Sequence, residues 1–193
     1  MKQYINELKI KDIHQLLKSM NDITYGYMSK NGDIKKEFKN FYRDYKLQSP
    51  QEVLDSKVGV CWDQVEFERH FFQKLNIKHN SIYIEQLNKN KNTHTFIVYE
   101  EKNKFYWFEH SFENHKGIHG PFDSINDIID FVHKKMENIE KDNGYISYLY
   151  KKPNFGIGVN DFINFCKRGK AMIKSDIDSM STEEFINSML FSM

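Results

Sequence analysis

Cys61, His94 and Glu109 follow one another along the chain in the order nucleophile, base, orienter. In chemistry of that kind a thiolate attacks a carbonyl carbon. An imidazole holds the thiol's proton as half of a thiolate–imidazolium pair, and a carboxylate fixes the imidazole's tautomer and stabilises its charge. Each residue also has a plainer reading. An isolated cysteine before an apolar helix often serves as a small buried hydrophobe. A strand histidine beside a core is commonly a satisfied structural group, and a glutamate can pair with a lysine. The case for chemistry depends on whether local elements bring the three side chains together.

Those elements are readable. Ser49-Pro50-Gln51-Glu52-Val53-Leu54 has the make-up of a short capped helical turn, followed by a small loop from Lys57 to Val60 containing Gly59. Cys61 therefore falls at or near the N-terminus of a helix running to about Leu75. Unpaired backbone N–H groups and the positive end of the helix dipole favour an anion there, the setting a nucleophilic thiol needs. Val65, Phe67, Phe71, Phe72 and Leu75 make that helix too aromatic for a surface element, so it is expected in the middle of the fold. Ser81 to Glu85, Thr93 to Tyr99 and Phe105 to His110 read as strands, the last two joined by the hairpin-length Glu101-Lys102-Asn103. Alternation puts His94, Phe96 and Val98 on one face of their strand and Phe105, Trp107 and Glu109 on one face of theirs. One register sets His94 opposite Glu109. Another, slipped by two, sets Glu109 opposite Phe96 and diagonal to His94. Both keep the pair within side-chain reach, whereas a slip of one residue separates them.

Gly59-Val60-Cys61-Trp62-Asp63, Thr93-His94-Thr95-Phe96 and Trp107-Phe108-Glu109 together resemble the transglutaminase-like superfamily of papain-type cysteine enzymes, across roughly residues 48–112. The resemblance implies an α+β, papain-like/transglutaminase-like core with a central helix packed on an antiparallel β-sheet and flanked by further helices. It also implies a catalytic triad of Cys61, His94 and Glu109. The superfamily most often carries aspartate in the third position, and Glu109 is longer by one methylene, about 1.3 Å of reach on ordinary bond geometry. An oxyanion would be held by the Cys61 backbone N–H and a side chain from upstream, for which Tyr25, Tyr27 and Gln48 are candidates.

The remainder sets bounds. At 193 residues the chain fits one domain, expected to consist of N-terminal helices over 1–47, the core over about 48–112 and a C-terminal helical closing segment over 121–193. Phe38, Phe41, Tyr42 and Tyr45 fall at helical spacing within 34–45. A strong helix is expected from about Ser124 to Lys141 capped by Asp123, a strand from Tyr145 to Tyr150, a short helix from Asn160 through Cys166, and a capping box at Ser181-Thr182-Glu183-Glu184. Lys and Arg number 28 against 27 Asp and Glu, so no overall charge points to nucleic acid. The start lacks a secretory apolar run and no segment approaches a membrane span, so neither membrane nor secretion is expected. A cytoplasmic home would leave Cys61 and Cys166 reduced, Cys166 as core. His110, His115 and His119, with Glu113, match no metal-site spacing, so neither metal nor cofactor is expected.

The expected activity is acyl transfer from an amide of a peptide or protein through a thioester, a peptidase or amidase where water accepts and a transglutaminase where an amine does. Hydrolysis is favoured because water needs no second binding site. The rivals are an inactive member of the same fold that binds peptide or protein, and a structural protein in which Cys61 is inert.

Overall fold

The computed structural model describes residues 4–87, 92–136 and 144–172. Its centre is an antiparallel six-stranded sheet. Taking elements in chain order, the helices are α1 (Ile13–Ser19), α2 (Phe41–Asp44), α3 (Pro50–Ser56), α4 (Cys61–Lys74), α5 (Ile125–Met136) and α6 (Val159–Lys167). The strands are β1 (Tyr27–Met28), β2 (Ile34–Lys35), β3 (His79–Gln86), β4 (Thr93–Glu101), β5 (Lys104–Glu109), β6 (Gly117–Phe122), β7 (Tyr145–Tyr150) and β8 (Lys170–Met172). The large sheet runs β6-β5-β4-β3-β7-β8, and β1 and β2 form a separate ribbon. This is the expected α+β architecture of a central helix on an antiparallel sheet.

Alternation along the strands builds two cores. Tyr83, Ile97, Tyr99 and Phe108 face α4 and its neighbours. Ile82, Ile84, Phe96, Val98 and Trp107 point to the other side, where Ile128, Ile129 and Val132 of α5 cover them. Because β3 and β4 are packed on both faces, each carries a short unbroken apolar stretch at its centre, Ile82-Tyr83-Ile84 and Phe96-Ile97-Val98-Tyr99. Helix α4 packs on β4 and β3, and eleven of its fourteen residues are buried.

Several flanking elements differ from expectation. Within 34–45 only Phe41–Asp44 is helical. Gly32, at φ 89°, closes a turn that pairs Tyr27 with Lys35 and Met28 with Ile34, which draws Ile34 and Lys35 into a strand. The aromatic residues still gather, Phe41 lying 4.7 Å from Tyr45 and 5.7 Å from Trp62 between ring centroids, but Tyr42 is exposed. Gly117 to Phe122 pairs with β5 as a further strand. The strand expected from Tyr145 to Tyr150 is present as β7, paired with β3, and the segment expected to close the fold with helices adds one more strand, β8, paired with β7. Ser124, not Asp123, accepts the Asp127 N–H at the start of α5 (3.1 Å); Asp123 reaches Lys104 instead (2.5 Å). Helix α6 begins at Val159, one residue before the expected cap Asn160. The Asn88-to-Asn90 stretch, the end of the helix expected to reach Lys141 and the Ser181 capping box lie outside the described residues.

Candidate active site

The site begins with how α4 starts. Ser49 caps α3 by accepting the Glu52 N–H, and the Glu52 carboxylate accepts the Ser49 N–H at 2.7 Å. Lys57 ends α3 in the left-handed region (φ 55°), and the chain turns through Gly59 into α4. A Cβ at Gly59 would come 3.0 Å from the Asp63 Cβ and 3.3 Å from the Gln64 Cγ, so glycine lets the loop lie against the first turn of the helix. Asp63 anchors that turn. Its carboxylate accepts the Val60 N–H (3.0 Å), the Gln48 N–H (2.8 Å) and the Tyr45 hydroxyl (2.9 Å). Burial lifts this carboxyl to about 7 against the pull of those donors. Gln64 adds a second brace, donating to the Gly59 carbonyl at 2.8 Å and accepting from His110 Nδ1 at 2.7 Å. Cys61 is thus the first residue of α4, with its backbone N–H in the free first turn.

On the sheet the observed register is the slipped alternative. Ile97 pairs with Phe108 and Val98 with Trp107, which continues to Phe96 opposite Glu109 and places His94 on the diagonal. His94 Nε2 donates to Glu109 Oε2 at 2.7 Å. The Glu109 carboxylate is held from three other directions. Trp107 Nε1 donates to the same oxygen at 3.2 Å, while Ser111 Oγ and the Phe112 N–H donate to Oε1 at 2.9 and 2.8 Å. The His94 ring stacks on Phe96 and meets Phe112 edge-on.

With Nε2 committed to Glu109, Nδ1 is the ring nitrogen left for the Cys61 thiol, which interacts with this imidazole. The structure thus brings Cys61, His94 and Glu109 into one cluster whose members are only 5%, 7% and 2% exposed. Burial alone would depress the His94 pKa, but the Glu109 carboxylate and the Cys61 thiol outweigh it and lift it to about 10. Burial likewise pushes Glu109 upward, and His94, the Phe112 N–H and Ser111 more than reverse that, holding its carboxyl below the usual range. An imidazolium clamped between carboxylate and thiol is what a proton-holding base requires.

Of the three upstream oxyanion candidates, one is occupied and one is buried in an aromatic cluster. Gln48 donates Nε2 to the Val58 carbonyl (3.0 Å) and accepts from Ser56 Oγ (2.8 Å). Tyr27 is buried among Phe38, Phe41 and Tyr45. Tyr25 is the candidate whose hydroxyl interacts with Cys61.

Sequence reasoning passed over Trp107, Ser111 and Phe112 as holders of the carboxylate; Trp107, two residues from Glu109 on the same face, was the signal available. It also passed over Glu68, two helical turns beyond Cys61. Glu68 is buried with one carboxyl oxygen unpartnered, and burial, then the charge of Glu109, drives its carboxyl well above the ordinary range. The histidines downstream have other roles. His119 Nε2 donates to the His115 carbonyl and its ring stacks on Trp107, and burial holds His110 down at about 4. Among the described residues no group of three His, Cys, Asp or Glu is placed to hold a metal ion, and no helix is long and apolar enough to cross a membrane. Cys166 is fully buried, and its burial raises its thiol above the usual range.

No protein-family model matches this sequence, and no curated protein matches it. Among solved structures it is similar to an arylamine N-acetyltransferase from Bacillus cereus, reported to have a unique Cys-His-Glu catalytic triad. The identity is 13% and the TM-score 0.42, over 88% of this chain and 65% of that one. The chain spans just under two thirds of that protein's length.

Proposed function

We propose that this protein is a cysteine-dependent acyl-transfer enzyme acting on amide bonds of a peptide or protein, with Cys61 as nucleophile, His94 as base and acid, and Glu109 as orienter. The observation that carries the reading is the buried Glu109–His94 hydrogen bond of 2.7 Å, with the opposite side of the imidazole turned to a thiol at a helix N-terminus. The Cys61 sulfur attacks the amide carbonyl carbon, forming a C–S bond as the C=O pair moves onto oxygen. His94 passes its Nδ1 proton to the amide nitrogen, the C–N bond breaks, and the amine leaves a thioester behind. Water then attacks the thioester carbon, gives a proton to His94, and the C–S bond breaks to release a carboxylic acid and restore Cys61. An amine in place of water makes the same site a transglutaminase; water is the simpler acceptor because it needs no site of its own.

The low exposure of Cys61 favours one other reading, a catalytically silent domain of this fold that binds peptide or protein. Turnover separates the two. Parent protein and Cys61→Ser are mixed with 4-nitrophenyl acetate and with a set of fluorogenic peptide amides. Nitrophenol release with an acylated Cys61 seen by intact mass, absent from Cys61→Ser, supports the enzyme. Equal, background release from both proteins contradicts it.

A further inference from the structure

Two neighbours at the end of β5 leave the sheet in opposite directions. Glu109 lies on the face it shares with Trp107 and holds His94 at 2.7 Å. His110 follows Phe108 to the other face, where Phe108 packs on Phe72 of α4 with ring centroids 5.4 Å apart, and its Nδ1 meets Gln64 Oε1 at 2.7 Å. The orientation of the Gln64 amide settles where the imidazole proton sits. Gln64 Nε2 donates to the Gly59 carbonyl at 2.8 Å, which leaves Oε1 toward His110. A carbonyl oxygen only accepts, so the proton stands on Nδ1. His110 Nε2 is then a buried lone pair with no hydrogen-bond partner among the described residues. Burial, then the charge of Lys116, holds the ring neutral with a pKa of about 4.

The link from His110 ends on a single peptide group. The Gly59 carbonyl taken by Gln64 and the Val60 N–H taken by Asp63 (3.0 Å) are its two polar ends, and it enters α4 one residue before Cys61. Asp63 ties this group to the N-terminal side of the fold through the Tyr45 hydroxyl and the Gln48 N–H. Gln64 ties it to the segment that bears Glu109, through His110. We infer that His110 is a positioning residue for the nucleophile: donating to Gln64, it fixes the start of α4, and with it Cys61, relative to the adjacent Glu109–His94 pair. This rests on the acyl-transfer reading of Cys61. A misplacement of about 1 Å at a reacting group costs about a hundredfold in rate. The Gln64–His110 hydrogen bond spans the joint between helix and strand at which such a misplacement would arise.

His110→Phe keeps an aromatic ring and removes the donor, whereas His110→Asn returns a side-chain N–H close to where Nδ1 stood. Parent and variants all carry Cys166→Ser. Two rates at Cys61, alkylation by iodoacetamide and acylation by 4-nitrophenyl acetate, are followed from pH 5 to 9 beside the denaturant midpoint. In His110→Phe the alkylation profile is expected to move to higher pH, so that the rate at pH 6 falls about tenfold, and acylation is expected to fall about 10- to 100-fold. His110→Asn is expected to stay within about threefold of the parent in both, the scale of one imperfect hydrogen bond. Gln64→Met breaks the same link from the helix side, and adding His110→Phe to it is expected to lower neither rate further, because His110 then has nothing to act through. A His110→Phe profile that overlays the parent's, whatever its midpoint, overturns the assignment and leaves the acyl-transfer reading standing. The same holds if His110→Asn fails as far as His110→Phe, or if the double variant falls below Gln64→Met by as much as His110→Phe falls below the parent. Gln64→Met carries the test where His110→Phe does not fold, a parental profile there being equally fatal. A parent whose Cys61 titrates as an ordinary thiol and is never acylated overturns the acyl-transfer reading, and the role of His110 with it.

Discussion

At the scale of single residues, the Glu109 carboxylate is carried to a fixed place by its surroundings. Ser111 and the Phe112 N–H hold one oxygen, and Trp107 and His94 share the other. Glu109→Asp retracts the carboxyl by about 1.3 Å and cannot keep both ends, so ester acylation is expected to fall about 10- to 100-fold as the imidazole loses its alignment; steady-state rates on the ester used above measure this. Glu109→Gln keeps the shape and removes the charge. NMR titration of the His94 ring is then expected to show its pKa well below the value of about 10 held in the parent. The sign of the accompanying stability follows from linkage. His94 is raised above its ordinary 6.5 or so, so its contribution is whole below about pH 6.5 and disappears as pH rises through about 10. Glu109 is lowered, so its contribution is present above the ordinary carboxylate range and disappears as pH falls through its own reduced value. Denaturant midpoints followed from pH 5 to 10 should show an alkaline decline in the parent that Glu109→Gln lacks. The His94–Glu109 pairing was legible in sequence because a strand's period of two fixes which residues share a face. The roles of Ser111 and Phe112 were not, because they arise where the chain leaves β5, beyond any periodic signal.

At the scale of elements, the start of α4 is the part that must not shift. Asp63 satisfies Val60, Gln48 and Tyr45 at once. Asp63→Ala removes a helix-start acceptor and strands buried donors, expected to cost about 2–4 kcal/mol and to be read from the shift in denaturation midpoint. Gly59→Ala, which must push against the first turn of α4, is expected to cost about 1–3 kcal/mol, with a larger fractional loss of Cys61 acylation than its stability loss accounts for. The extent of α4 was legible, because a capped helix, a glycine loop and then an aromatic-rich apolar run leave few alternatives. The stretch 34–45 misled, since aromatic spacing of three and four also arises when a hairpin and a single helical turn fold their rings onto one cluster. Period alone does not distinguish them.

At the scale of the molecule, the sheet is a plate with a core on each side, and the thiol is brought to it by one helix lying on β4. Phe72, packed against His79, Tyr99 and Phe108, fastens the far half of α4; Phe72→Ala is expected to cost about 3–5 kcal/mol, measured by thermal or denaturant unfolding. The middle three strands were legible because they are sequential hairpin partners. Strand β7 was legible with its bounds, while β6 and β8 were not, since Gly and Pro interrupt β6 and β8 is only three residues long. The claim on which everything else depends is that Cys61 and His94 act as one ionised pair, and the most direct test is the rate of iodoacetamide alkylation of Cys61 at pH 6, in parent and His94→Ala, with Cys166→Ser in both. The parent is expected to react at least about tenfold faster than His94→Ala, because the imidazolium stabilises the thiolate that reacts. Equal rates in the two proteins, both those of an ordinary thiol, would contradict it.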